Sequence, residues 1–345
     1  METIYENFDD NTPNKISFNQ DYSLISIGTN RGYKIIQPSP YYFHEKNLLG
    51  SLSICEMSYK SNFLALVGGG KIPKYVNKKV VIYNDLDDSI ESEYKFANPV
   101  LNVKFKKDFI FIVCEKKIYV FNVENSQNID TFDTINNKRG IIAVNGSKDK
   151  TIMAHPIQFE DEPDKGYVGV KNYKTNKYFP LLVHEEPISY MEMDYKGLLL
   201  ATVNEKGTFI RIHNLGDKTL VYELKRGKDK AIVNYIAFDI DYNYVGVTSN
   251  KGTIHVWKLD DIIEKKNKDI SVKKINNYKS ELSFAKIKNT KQNCIFCFRP
   301  DDQIIIVSPD EKLYLVKINK KGGYFDPTEV FDFSKNNQNN NNANK

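Results

Sequence analysis

Two adjacent cations, Lys225 and Arg226, sit in the motif Leu224-Lys225-Arg226-Gly227, between segments that each carry a Gly-Thr turn, Lys206-Gly207-Thr208 and Lys251-Gly252-Thr253. Successive side chains on an extended chain point to opposite faces, so this one motif can supply two separate anion sites. The flanking residues are of a suitable kind: Thr208 and Arg211 precede the motif, and Ser249, Thr253 and His255 follow it. Guanidinium, ammonium, hydroxyl and imidazole groups all donate to phosphate oxygens, the charged ones most strongly. A solvated charge cluster on a turn is the plain alternative, since charge runs usually are that. The flanking donors weigh against it.

Other chemistry is scarce. Cys294 and Cys297 have a zinc-like spacing, but they lie inside the apolar run CIFCF, where a strand turns the two thiols to opposite faces. Gly68-Gly69-Gly70-Lys71 imitates a phosphate loop, yet Ile72 stands where a metal-binding Ser or Thr belongs and no helical pattern follows. His44, His155 and His213 have no nucleophile or carboxylate beside them in any motif. With no nucleophile elbow and no recognisable pair of acids, neither an enzyme nor a metal or cofactor site is expected.

The elements that must hold the basic motif are short strands. Runs of alternating apolar and polar residues, punctuated by turns, begin near Ile16, Leu52, Leu101, Ile141, Ile188, Val233 and Phe284. Their period of about 45 residues is that of a propeller, and helical periodicity is rare. Seven such units predict an all-β, seven-bladed, WD-repeat-like β-propeller over residues 1–334, with a disordered asparagine-rich tail over 335–345. Tyr324–Phe333 would finish the last blade without a strand borrowed from the N-terminus. The polar stretch 260–281 reads as a loop. With 41% hydrophobic and 12% aromatic residues the chain can fill such a core. The balance of 49 Lys+Arg against 44 Asp+Glu is too mild to imply nucleic acid. The acidic start METIYENFDD has no secretory character, and no apolar run reaches the roughly 20 residues that span a bilayer. Four cysteines in so long a chain favour a reducing, cytosolic setting.

The segments LLLATVNEKGTFIRIHNL, YELKRGKDKAIVNYIAF and VGVTSNKGTIHVWKL resemble the PROPPIN family of phosphoinositide-binding propellers, whose pattern reads A-T-A-S-x-K-G-T-x-I-R, (F/L)-R-R-G and S-S-x-x-G-T-x-H-(I/V)-(F/W). Upstream, Leu66 to Gly70, Ile72-Pro73-Lys74 and Asn77 to Tyr83 are similar to the family's V-G-G-G-x-x-P…P-N-K-V-x-I-(W/Y), and Ser283-Phe284-Ala285 resembles the S-F-A that opens its last blade. Residue by residue, the resemblance implies a first phosphoinositide site of His184, Asn204, Thr208, Arg211 and Lys225. The second comprises Arg226, Ser249, Thr253 and His255, with Thr248 and Lys228 nearby. Lys225 replaces the first arginine of the family's pair and Asn204 replaces a serine, both in the first site, so the two sites should differ in affinity.

The stretch 260–281 occupies the place of the family's membrane-dipping loop and interleaves Ile262, Ile263, Ile270, Val272, Ile275 and Tyr278 with lysines, a mixture suited to an anionic interface. Two headgroup sites and a loop that engage one membrane together multiply weak affinities. The ligands implied are phosphatidylinositol 3-phosphate and phosphatidylinositol 3,5-bisphosphate. The implied role is that of a peripheral effector on autophagic, endosomal or vacuolar membranes. The opposite rim, with residues 68–79 and the third-blade strands 101–123, would be left for a protein partner, in the family a lipid-transfer protein of autophagy. A WD-type scaffold that binds only proteins is the competing class, since fold alone does not decide function.

Overall fold

The computed structural model describes residues 15–259, 263–266, 269–272, 281–288 and 290–333, and every regular element in them is a β-strand. A short strand that is apolar on both faces buries them only by pairing along its edges and stacking against neighbouring sheets. The chain does this seven times in succession, at 15–47, 52–95, 100–133, 143–184, 188–225, 233–287 and 295–332. Each unit is an antiparallel sheet whose first strand lines a central cavity, and the result is the expected seven-bladed propeller.

Seven apolar clusters hold the seven blades, one at each blade-to-blade interface. Between blades five and six, Val203, Ile210 and Leu224 meet Val233, Val247 and Trp257. Between blades seven and one, Ile295, Ile305 and Phe333 meet Phe18, Ile25 and Ile27 and Lys34 pairs with Glu311, so among the described residues side-chain contacts rather than a shared strand close the ring. Cys294 and Cys297 fall in different clusters, on opposite faces of blade seven, and burial pushes both thiols up to about 12. His44 does have a carboxylate partner, Asp85 at 3.0 Å, which the next blade supplies. The turns also depart from a simple glycine rule. Tyr22, Tyr59 and Tyr242 take up left-handed φ values of 58°, 52° and 59° in the first hairpins of their blades.

Two boundaries differ from the sequence reading. Ser283-Phe284-Ala285 does not open the last blade: Ala285–Ile287 pairs antiparallel with Ile254–Lys258 as the fourth strand of blade six, and blade seven begins at Ile295. The long excursion after Leu259 delays this fourth strand until it imitates the start of a new unit. Residues 324–333 are also divided. Thr328–Asp332 completes blade seven beside Lys312–Lys317, whereas Gly323–Phe325 runs parallel to Ala285–Ile287 on the edge of blade six.

Candidate anion-binding site

The basic motif ends the outer strand of blade five, Leu220–Lys225, and its neighbours explain where each cation goes. Leu224 belongs to the cluster between blades five and six, so Lys225 looks the other way. It pairs in register with Phe209 and lies 6.0 Å from the centre of that ring. Phe209 in turn lines a cavity of about 220 Å³ together with His184, Asn204, Thr208 and Arg211. Four of the five expected first-site residues thus share one pocket between blades four and five, and Lys225 stands at its edge.

The turn below this pocket is built for close approach. Gly207 has a φ of +64°, and a side chain there would collide with the Ala231 carbonyl. Asn204 secures the turn by accepting the Gly207 N–H at 3.2 Å, while its own amide donates to Glu186 at 2.9 Å. Lys206 forms an ion pair with the other oxygen of Glu186. Arg211 donates from Nε to Glu223 at 3.0 Å and from a terminal nitrogen to the Val183 carbonyl at 3.2 Å. Burial, with Arg211 and His213 adding to it, pushes His184 down to about 3, so the imidazole is neutral at physiological pH. Its buried Nε2 has no hydrogen-bond partner.

Arg226 turns to blade six. It is only 7% exposed, its Nε donates to the Gly207 carbonyl at 2.6 Å, and a terminal nitrogen donates to the Asp229 carbonyl. The same side chain therefore fastens the turn on one side of the site and the loop on the other. Ser249, Thr253 and His255 alternate with residues that pack against blade seven and so face blade five, as Arg226 requires. Burial, then Lys286 and Arg226, push His255 down to about 4, and its Nδ1 lies 3.3 Å from the Ser283 hydroxyl. Lys228 is exposed on the loop above.

Thr248 does not belong to this group. As the neighbour of Ser249 on one strand it faces the other way and donates to the Cys294 carbonyl, 3.1 Å away, at the interface with blade seven. In its place the fold adds Lys286, directly opposite His255 in the strand register. Sequence reasoning missed Lys286 because the segment around it was assigned to the wrong blade; as a fourth strand of blade six it falls beside His255.

The stretch read as a loop contains a two-stranded antiparallel hairpin, Ile263–Lys266 with Asp269–Val272. Ile263, Ile270 and Val272 lie on its strands, whereas Ile262, Ile275 and Tyr278 lie outside the described residues, as does the tail 335–345. The chain returns as Glu281–Leu282, which pairs parallel with Leu224–Lys225. The Trp257 indole N–H donates to the Glu281 carbonyl at 3.1 Å. The excursion is therefore anchored on the basic motif itself.

The fold is a seven-bladed propeller whose fifth blade ends in two cations that turn to opposite sides, Lys225 to the edge of a pocket and Arg226 toward blade six. The PROPPIN family profile matches residues 14–315, and the chain belongs to the PROPPIN family. It is 29% identical over 247 residues to autophagy-related protein 18 of Dictyostelium discoideum, covering 71% of this chain and 64% of that one. It is 30% identical over 250 residues to autophagy-related protein 18e of Arabidopsis thaliana, covering 71% of this chain and 65% of that one. The chain thus spans just under two thirds of these curated relatives. Among solved structures, Kluyveromyces lactis Hsv2 with a complete loop 6CD superposes with a TM-score of 0.74 at 20% identity, covering 93% of this chain and 98% of that one. A complex of KlAtg21 with the coiled-coil of AgAtg16 gives 0.75 at 20% identity, with the same coverage. These last two likenesses concern the fold.

Proposed function

We propose that this protein binds 3-phosphorylated inositides in membranes, phosphatidylinositol 3-phosphate first among them, and acts as a recruited, non-enzymatic effector in autophagosome formation or endosomal traffic. One observation carries this reading: the two cations of Lys225-Arg226 diverge, Lys225 to the edge of a pocket lined by Thr208 and His184, and Arg226 toward the face of blade six that bears Ser249, Thr253 and His255. A scaffold that binds only proteins has no need of such an arrangement. The hairpin and the lysine-rich sequence around it fall in the chain between the third and fourth strands of blade six, and the mixture of lysine and apolar residues supplies a grip on the anionic surface. Names among the relatives support the autophagic setting, and the KlAtg21 complex with a coiled-coil supports a protein partner. A lipid-transfer protein remains the partner proposed for the rim around residues 68–79.

Flotation with liposomes tests the reading. The purified protein is expected to float with vesicles carrying phosphatidylinositol 3-phosphate, and less so as salt screens the contact. Equal flotation with and without the inositide would leave only the scaffold reading.

A further inference from the structure

The cleft between blades four and five does not offer its donors unclaimed. We propose that Glu186 is a built-in competitor for the anion in this first site, so that the resting protein takes one phosphorylated headgroup, at the second site, and the first is opened only by displacing a carboxylate. This rests on the phosphate-binding reading of the rim and deepens it, by naming the residue that makes the two sites unequal.

Glu186 lies on the turn between blades four and five and is itself part of the pocket lining. One of its oxygens accepts from Asn204 at 2.9 Å and the other pairs with Lys206. A carboxylate and a phosphate present the same chemistry to such donors, negative oxygens that accept, so occupation by one excludes the other. Arg211, the strongest donor in the pocket, is likewise held by Glu223 at 3.0 Å. Glu185 adds a further acid to the lining. An incoming phosphate therefore meets donors already neutralised, and like charges besides.

His184 marks where the excluded phosphate belongs. It lines the pocket, it is buried, and its Nε2 lacks a hydrogen-bond partner, although buried polar atoms are rarely left so. The internal carboxylate satisfies Asn204 and Lys206 but leaves this nitrogen unserved, whereas a phosphate seated in the pocket could reach both ends. The second cleft is arranged differently: Arg226 spends its nitrogens on backbone carbonyls, and Lys286 and Arg226 both face His255.

Calorimetric titration of the full chain with soluble inositol 1,3-bisphosphate tests the proposal. The wild type is expected to bind one equivalent. Glu186→Gln keeps the shape of the side chain and its acceptor for Asn204 while removing the charge, and is expected to bind a second equivalent in the concentration range where the wild type binds one, a gain of at least tenfold in affinity at the first site. Thr208→Val placed in the Glu186→Gln background should remove that second equivalent. Two equivalents on the wild type, or one on Glu186→Gln with an unchanged melting temperature, would overturn it. No binding by either protein would overturn the phosphate reading as well. A parallel titration with inorganic phosphate separates the sources: uptake by Glu186→Gln of the inositol bisphosphate alone assigns the site to a headgroup. Equal uptake of both keeps Glu186 as the competitor and makes the site one for phosphate in general.

Discussion

At the residue scale, Lys225 and Arg226 are adjacent but do unlike work. Arg226 is buried and ties the Gly207 and Asp229 carbonyls together. Removing it leaves acceptors unpaired, at about 1–3 kcal/mol for each one that water cannot reach. Arg226→Ala is therefore expected to lower the melting temperature and to weaken headgroup binding tenfold or more, whereas Lys225→Ala should alter stability by less than about 0.5 kcal/mol and binding by less than Arg226→Ala does. Thermal melts and liposome titrations of both variants check this, and equal effects would show that the two cations are equivalent. The divergence of these cations was legible from alternation alone. The same rule, applied to Thr248 beside Ser249, would have excluded Thr248 from the second site. Arg226's grip on two turns was not legible, because it depends on where Gly207 and Asp229 arrive in space, and the composition of neither turn says so.

Sequence reasoning was strongest at the scale of the element where strands follow one another at short range, and it failed where a long excursion intervenes. Six of the seven blade starts lie within two residues of the periodicity reading, and the seventh was displaced by the segment after Leu259. Hydrophobic alternation identifies a strand but not its partner, so Ala285–Ile287 was read as a beginning rather than an end. The way the excursion is anchored carries its own prediction. Leu259 N–H is held by the Asn243 carbonyl at 2.9 Å, and Glu281 is held by Leu224 and Trp257, so both ends are fixed without the residues between them. Deleting 262–279 and bridging the gap with a short flexible linker is expected to leave the fold and the affinity for a soluble headgroup nearly unchanged, while reducing retention on liposomes. Liposome sedimentation beside calorimetry with the soluble headgroup separates the two. Loss of soluble binding would make the hairpin part of the pocket instead.

Over the whole molecule, closing seven blades into a ring gathers their first strands around one cavity of about 410 Å³, and with them residues far apart in sequence. Glu56, Lys104 and Glu192, from three different blades, line it, with Arg139 from the connection between blades three and four. Lys104 lies 3.4 Å from Glu56, and both glutamates act on it. Glu192 is perturbed by its place there. Burial pushes its carboxyl up to about 7, with Glu56 adding to the rise and Lys104 and the Met193 backbone opposing it. A carboxyl whose folded pKa is raised from 4.5 to about 7 contributes stability that is fully present below pH 4.5 and is lost as pH rises through 7. Glu192→Gln mimics the protonated form at every pH. Its stability relative to the wild type is therefore expected to be higher at pH 8 than at pH 5, by on the order of 1–3 kcal/mol. Because each comparison is made within one pH, the buried histidines and the remaining acids contribute equally to both proteins and cancel. Denaturant melts of the pair at the two pH values measure the difference directly. A gap that stays constant would mean that Glu192 is charged in the folded ring at both, held by Lys104 across the channel rather than neutralised by burial.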